Sequence, residues 1–321
     1  MPFRIAMLGT GEFALPTFQS LADSHHTMVG LVTQPDRVAS GGRVHPNVMK
    51  EFALHRKIPV LQPPNINTAE SLAELYALQA DLFLVAAYGQ ILSAEVIGVP
   101  PRGCYNLHGS LLPKYRGAAP IQYAVWKGEA TTGVSIFQIV PRLDAGPILA
   151  EFTTPIGPKE TSGDLENRLA SLVAPVTVQF IDDLEYGRLN GRPQNPAEVT
   201  RAPKLKKEFG MLDWSQSTAA LDCQIRAMQP WPTPHTYLHV TAKPPQRILV
   251  LEIDPAPLPA TGMETAAGTI VRNDGRSLLV RTGDGACAIQ RIQPIGKRAM
   301  AVSDWLRGNA APVGSRLGTE T

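Results

Sequence analysis

Apolar positions fall into two regimes along this chain. Up to Tyr186, short apolar runs alternate with stretches whose apolar residues recur at helical spacing. Beyond it come short β-like runs set off by glycines and prolines. The first run, residues 3–8, predicts a strand that ends in Gly9-Thr10-Gly11 and leads into a helix over residues 14–21. Strand, glycine turn and helix begin a doubly wound unit. Residues 29–33 predict a second strand, 47–55 a helix, 58–61 a short strand, and 68–78 an amphipathic helix carrying Leu72, Leu75 and Leu78. Residues 81–87 are nearly all apolar, the pattern of a central parallel strand buried on both faces. Tyr88-Gly89-Gln90-Ile91-Leu92 follows at its carboxyl end.

A further apolar run at 103–107 leads into Asn106-Leu107-His108-Gly109-Ser110-Leu111-Leu112-Pro113. Strand side chains alternate faces, so Asn106 and His108 are expected on one face, an amide beside an imidazole. They stand at a strand's carboxyl end, where open α/β sheets place their chemistry. Gly109 permits a sharp turn, and Ser110-Leu111-Leu112-Pro113 predicts a stiff loop with an apolar inner wall. Further on, Leu143-Asp144-Ala145-Gly146 sets a lone carboxylate on a glycine-containing turn. No nucleophilic Ser or Cys motif accompanies these residues. An amide donor, a His and an Asp suit attack on a carbonyl by a substrate's own nucleophile. Each also has a plainer role, because an isolated His is often structural and an Asp often caps a turn. Spacing alone does not bring Asp144 to His108.

After this loop, residues 120–126 predict a helix with Pro in its first turn. Residues 132–138 and 148–154 predict strands on either side of Asp144, and 165–186 a long helix that closes the first domain. Composition then shifts to glycine, proline and polar residues. Arg188, Arg192, Arg201, Lys204, Lys206 and Lys207 make this the most basic part of the chain, and it is assigned as a linker. Beyond it, 218–228 predicts a helix, and five β-like runs with Gly-rich turns predict a small closed or partly open barrel. The expected organisation is a Rossmann-like α/β domain over residues 1–187, a basic linker over 188–207, and a smaller β domain over 208–321.

Charge and composition narrow the picture. The formal net charge of the 321 residues is only +2, so binding of a polyanion would need local basic patches. Besides the linker, Arg37 and Arg43 sit in a glycine-containing loop over residues 35–46. No apolar run approaches the ~20 residues of a membrane span. Three widely spaced cysteines without metal-ligand spacing, and a first strand that begins at once, point to a reducing cytoplasm. Gly9-x-Gly11-x-x-Ala14 resembles a dinucleotide fingerprint, but no acid closes the second strand; Asp36 lies beyond Pro35. A tight turn is the better reading. His235-x-x-x-His239 lacks the accompanying Glu of a zinc motif and lies in a strand-like run, so no metal is expected.

The runs Asn106-x-His108-x-Ser110-Leu111-Leu112-Pro113 and Tyr115-Arg116-Gly117-Ala118-Ala119-Pro120-Ile121, with Leu143-Asp144-x-Gly146, resemble the folate-dependent formyltransferases. The resemblance extends to Trp231-Pro232 and Thr282-Gly283-Asp284-Gly285, which favour the members that act on methionyl-initiator tRNA. It implies an OB-like barrel for the C-terminal domain. It implies 10-formyltetrahydrofolate as donor cosubstrate, held by Tyr88, Gly89, Ile91, Leu92 and the loop Ser110, Leu111, Leu112, Pro113. Asn106, His108 and Asp144 become the catalytic trio, with a protonated His108 donating to the formyl oxygen. Arg37, Arg43, Lys204, Lys206 and Lys207 become the tRNA contacts, and a monomer is expected. A sugar-nucleotide amine as acceptor, or water in a 10-formyltetrahydrofolate hydrolase, are the alternatives.

Overall fold

β1 (Arg4–Gly9) carries Ile5, Ala6, Met7 and Leu8, each with no exposed surface, so the strand must lie inside a sheet covered on both faces. The computed structural model describes residues 2–36, 47–259 and 264–320. In chain order there follow α1 (Leu15–Ala22), β2 (Thr27–Val32), α2 (Val48–His55), β3 (Val60–Leu61), α3 (Ala69–Ala77), β4 (Leu82–Ala86) and α4 (Ala94–Ile97). β5 (Cys104–His108), β6 (Arg116–Gly117), α5 (Pro120–Trp126), β7 (Thr131–Gln138), β8 (Ile148–Pro155), α6 (Ser162–Glu185) and β9 (Arg201–Ala202) come next. Helix starts sit where short polar residues can cap them: Asn47, Thr68 and Ser93 each accept a first-turn backbone N–H.

The main sheet has the order β3-β2-β1-β4-β5-β7-β8. Its first five strands are parallel; β7 and β8 run antiparallel to their neighbours. From β1 the chain builds outward through β2 and β3, then returns to add β4 on the other side. That reversal opens a crevice at the carboxyl ends of β1 and β4, the usual ligand position in such sheets. A cavity of about 280 Å³ occupies it, lined by Thr10, Gly11, Gln34, Asn47, Tyr88 and Gly89 among others. The α/β unit expected from sequence is therefore present, with an antiparallel pair added at one edge.

Two compact units divide the chain. Unit 1 holds the described residues up to Ile121, with Thr131–Pro155 and Leu165–Pro203. Unit 2 holds the described residues from Lys204 on, with Gln122–Ala130 and Ile156–Asp164. The stretch before Pro203, where composition predicts a linker, is fastened to unit 1. β9 pairs in parallel with β6, Arg116 opposite Arg201 and Gly117 opposite Ala202. Arg192 and Ile148 exchange two backbone hydrogen bonds of 2.8 and 2.9 Å.

Unit 2 contains α7 (Thr218–Ala227), β10 (His235–His239), β11 (Gln246–Ala256), β12 (Ile270–Asn273), β13 (Leu278–Arg281), β14 (Ala286–Pro294), β15 (Met300–Ala301), α8 (Val302–Leu306) and β16 (Arg316–Gly318). Its antiparallel sheet runs β12-β13-β14-β11-β10-β16. Ile270 N–H donates to Ser315 C=O at 2.8 Å and Leu317 N–H to Gly268 C=O at 2.7 Å, which brings the two edge strands together. The result is a nearly closed barrel. Register shifts at Val250 and Glu252 let the long β11 bend around it. Leu238, Ile248, Val250, Leu278, Ile289 and Trp305 fill the interior, with α7 contributing Leu221 and Ile225.

Candidate active site

β5 presents Asn106 and His108 on one face, as alternation requires, at the carboxyl end of the main sheet. His108 lies opposite Ser135 of β7, and Asn106 opposite Phe137. The His108 ring is 5% exposed and meets the edge of Phe137 at 6.2 Å. Its Nε2 is 2.9 Å from the backbone oxygen of Tyr115. A carbonyl can only accept, so Nε2 carries the proton and donates. Nδ1 faces the other way, 4.0 Å from Oδ2 of Asp144. The same carboxylate oxygen accepts the Gly117 N–H at 2.8 Å. Among the described residues the Asn106 amide has no hydrogen-bond partner within the protein, although the residue is half-buried. Its donors are therefore free for a bound molecule.

The loop between His108 and Arg116 is held from within. Ser135 Oγ accepts the Leu112 N–H at 2.9 Å and donates to the Ser110 carbonyl at 2.8 Å. Ser110 Oγ in turn donates to the Lys114 carbonyl at 2.7 Å. Leu112 is 3% exposed and packs on Phe137 and Ile148, which anchors the loop at this residue. Ser110 is fully buried, and Pro113 is buried behind a cis Leu112–Pro113 bond; Leu111 keeps partial exposure. Across the crevice, Tyr88 and Gly89 line the 280 Å³ cavity, and Gln34 Nε2 donates to the Tyr88 carbonyl at 3.0 Å. Among the described residues the buried Tyr88 hydroxyl has no partner, and burial pushes its pKa up to about 12. Leu92 is buried, whereas Ile91 is 76% exposed.

Sequence reasoning missed the residue that ties these parts together. Gln194 lies in the glycine- and proline-rich stretch after α6 and is only 9% exposed. Its Oε1 accepts from Nε and Nη2 of Arg116, at 3.1 and 2.6 Å. Its Nε2 donates to the carbonyls of Asp144 and Gly146, at 2.9 and 2.8 Å. Gly146 is obligatory for the turn it holds, because a Cβ there would lie 1.7 Å from the Gln138 carbonyl oxygen. No local pattern marks Gln194, whereas Arg116 and Gly117 stand inside the motif run that sequence does pick out.

Burial sets the state of His108. Desolvation pulls its pKa below 6.5, the nearby Asp144 charge and the Tyr115 bond pull it back up, and Arg116 adds a smaller downward pull. Burial is the largest of these and favours the neutral imidazole, where sequence analysis expected a protonated His108. A neutral ring with its proton on Nε2 offers an Nδ1 lone pair, a proton acceptor backed by a carboxylate.

Lys204, Lys206 and Lys207 are exposed at the start of unit 2, around a buried Leu205. Arg37 and Arg43 lie outside the described residues. His235 and His239 each hydrogen-bond a backbone carbonyl, of Thr233 and Thr319. Ligand atoms of His25, His26, Asp182 and Glu185 come within 4.8 Å of one another. His26 Nδ1 accepts the Phe3 N–H at 3.1 Å, so its Nε2 holds a proton for Asp182 and has no lone pair for a metal.

The balance at His108 is open to measurement. NMR titration of the intact protein should give a His108 pKa below about 6.5. Asp144→Asn should lower it further, because the carboxylate is the main group favouring the imidazolium. A wild-type value above 6.5 would mean that the ion pair, not burial, governs the ring.

Residues 3–181 match the formyl transferase family and residues 204–310 its C-terminal domain. The chain is 41% identical over 318 residues to the methionyl-tRNA formyltransferase of Methylococcus capsulatus, covering 98% of this chain and 100% of that one. Among solved structures it resembles an N-formyltransferase from Helicobacter canadensis, in complex with folinic acid and dTDP-3-aminofucose, at TM-score 0.66 and 17% identity. That match covers 89% of this chain and 98% of the other. HypX from Aquifex aeolicus, in complex with tetrahydrofolic acid, matches at TM-score 0.60 and 19% identity over 95% of this chain, which spans 47% of that protein. The two solved structures share the fold. With both of its domains matched and a full-length relative at that identity, the chain belongs to the formyl transferase family.

Proposed function

We propose that this protein transfers the formyl group of 10-formyltetrahydrofolate to the α-amino group of methionyl-initiator tRNA. The observation that carries the reading is the buried His108–Asp144 pair beside an unpartnered Asn106, in a chain 41% identical from end to end to a methionyl-tRNA formyltransferase. Chemistry, substrate and domain content then agree. The enzyme works as a monomer in the cytoplasm, where its three cysteines remain thiols.

In this mechanism the neutral methionyl amine attacks the formyl carbon, and charge builds on the formyl oxygen. Asn106 donates to that oxygen, the kind of contact that strengthens only as the transition state forms. The new C–N bond leaves a surplus proton on the amine. His108 Nδ1 takes it, directly or through water, and Asp144 stabilises the imidazolium. The C–N bond to folate then breaks as the imidazolium passes that proton, directly or through water, to the departing nitrogen, which leaves His108 neutral again. Arg116 stays bound to Gln194 and keeps the β6 strand, whose Gly117 N–H fixes the carboxylate, in place. Tyr88, Gly89, Ile91, Leu92 and Leu111 form the wall against the folate ring; Ser110, Leu112 and Pro113 hold the loop's shape from behind.

Lys204, Lys206 and Lys207 serve as phosphate contacts, being exposed and closely spaced in an almost neutral chain. Arg37 and Arg43 are assigned the same role, nearer the aminoacyl end. The fold suits this division, since catalysis uses unit 1 alone and leaves the barrel free for RNA.

A substrate panel tests the reading. Purified protein with 10-formyltetrahydrofolate should formylate methionyl-tRNA, and fail with a UDP-aminosugar, glycinamide ribonucleotide or water. Turnover of the aminosugar but not the tRNA would sink it.

Single-turnover rates test the trio. Asn106→Ala should cost about 10²–10³ and His108→Ala about 10²–10⁴, with folate affinity largely kept. The double variant should lose much less than the product, since both act on one transition state. A single variant with wild-type rate removes that residue from the mechanism.

Neutralising the three lysines together should weaken tRNA binding and reduce the slope of log K against log salt by about 2–3. Affinity and slope unchanged across a salt series would leave these lysines as ordinary surface residues.

A further inference from the structure

Unit 2 carries a feature that the proposed chemistry does not use. Trp231 is 48% exposed, while Trp214 and Trp305 are 3% and 2% exposed, and Trp126 packs on Tyr123 and Phe209. Trp231 borders a groove of about 610 Å³ whose other walls include Lys207, Glu208, His235 and Arg247. Two features of the polar groups point to a ligand. Arg247 lines the groove with its cationic side chain, and among the described residues its Nε has no hydrogen-bond partner. His235 spends its Nδ1 proton on the Thr233 carbonyl at 3.0 Å, which leaves the Nε2 lone pair as an acceptor. Burial, with a contribution from Arg247, holds its pKa below 6.5 and keeps that acceptor neutral.

We propose that this groove stacks an unpaired RNA base on Trp231 and holds the adjoining phosphate with Arg247 and Lys207. An indole face, two cations and a neutral imidazole acceptor suit a nucleotide in each of its parts. Bases stack on aromatic rings whatever their sequence, guanidinium and ammonium groups take the phosphate, and His235 Nε2 accepts from a base amino group or a 2′-hydroxyl. Glu208 is the one carboxylate among the named walls, and it too can accept only from a base or sugar donor. A peptide ligand without acidic groups would match the indole but leave both cations without a partner. The inference deepens the proposed function, since it rests on tRNA as the substrate and assigns part of its binding to unpaired nucleotides.

The test uses the full-length protein and a fluorescently labelled single-stranded RNA hexamer, with a blunt RNA duplex of equal charge as control. In wild type, the hexamer should quench tryptophan emission; in Trp231→Phe that quenching should be lost while most of the affinity remains. Trp231→Ala should weaken hexamer binding by about 5- to 100-fold and leave duplex binding unchanged. Arg247→Gln should weaken hexamer binding and flatten its salt dependence. The KM for methionyl-tRNA should rise in both weakened variants. Thermal unfolding midpoints check that each variant folds, and the wild-type quenching needs no variant at all. Hexamer binding without quenching, or equal loss of hexamer and duplex in Trp231→Ala, would overturn the inference, as would unchanged affinity in both Trp231→Ala and Arg247→Gln. The hexamer arm involves no formylation. A protein that quenches with RNA yet fails on methionyl-tRNA loses the proposed function and keeps the groove, and the converse outcome does the reverse.

Discussion

The site depends on one buried amide. Gln194 accepts twice from Arg116 and donates once each to the carbonyls of Asp144 and Gly146, so every hydrogen-bonding position of its head group is in use. A buried guanidinium left without a partner costs several kcal/mol, on the order of 3–5. Here a neutral amide supplies that partner. A glutamate at 194 would answer the Arg116 charge more fully, yet it would have no donor for the two carbonyls. It would also bring a second negative charge toward His108 and raise its pKa, against the direction that burial sets. Of the two side chains, only the amide can bond both Arg116 and the Asp144 turn while leaving the local charge balance untouched.

That balance matters because His108 has two opposed influences of similar kind. Desolvation disfavours the imidazolium before any substrate arrives, and Asp144 favours it. A 4.0 Å separation between Nδ1 and Oδ2 makes the carboxylate a stabiliser that has not yet been fully engaged. Once the ring is protonated, the attraction grows and the pair can close. In the proposed mechanism the interaction is therefore weaker with the reactants than with the protonated intermediate, which is the condition for lowering a barrier rather than merely tightening binding. Had the ring been exposed, water would have screened Asp144 and removed the difference.

What the sequence made legible was local. Alternation along 103–108 was enough to put Asn106 and His108 on one face, and β5 bears this out. The apolar run at 81–87 was enough for a central strand, now β4, buried throughout. Contacts between distant segments were not legible. Gln194 sits in a stretch whose glycines and prolines read as a linker, and its partners lie 78 and 50 residues away, at Arg116 and Asp144. Leu112 shows a second limit: apolarity says that a side chain avoids water, not whether a ligand or Phe137 covers it. His108 shows a third, since its charge state follows from burial, which no motif records. β16 was missed because it is three residues long and is held by backbone pairing, on one side to β10 and on the other to residues 268–270.

Backbone strain at the site follows from the same hydrogen bonds. Ala87, Tyr115 and Asp144 have φ of 48°, 60° and 48°, in the left-handed region that residues with a Cβ avoid. Asp tolerates it; Ala and Tyr do so less readily. Each stands where a functional group must be turned toward the cleft. Ala87 turns the chain from the end of β4 into the crevice at Tyr88, and Asp144 aims its carboxylate at the Gly117 N–H. Tyr115 presents the carbonyl that receives His108. Tyr115 is fixed on both sides of its peptide, its N–H donating to Thr200 Oγ1 at 2.8 Å and its C=O accepting from Nε2. Strain of this order, about 1–3 kcal/mol per residue, survives only where the surroundings over-determine the conformation. Thr200 and Gln194 both come from the stretch ahead of β9, so the segment after α6 holds two of these three strained residues in place. Loosening it would let Tyr115 relax, withdraw the carbonyl from Nε2, and free His108 to take the other tautomer, with its proton on Nδ1 and no lone pair left to receive one.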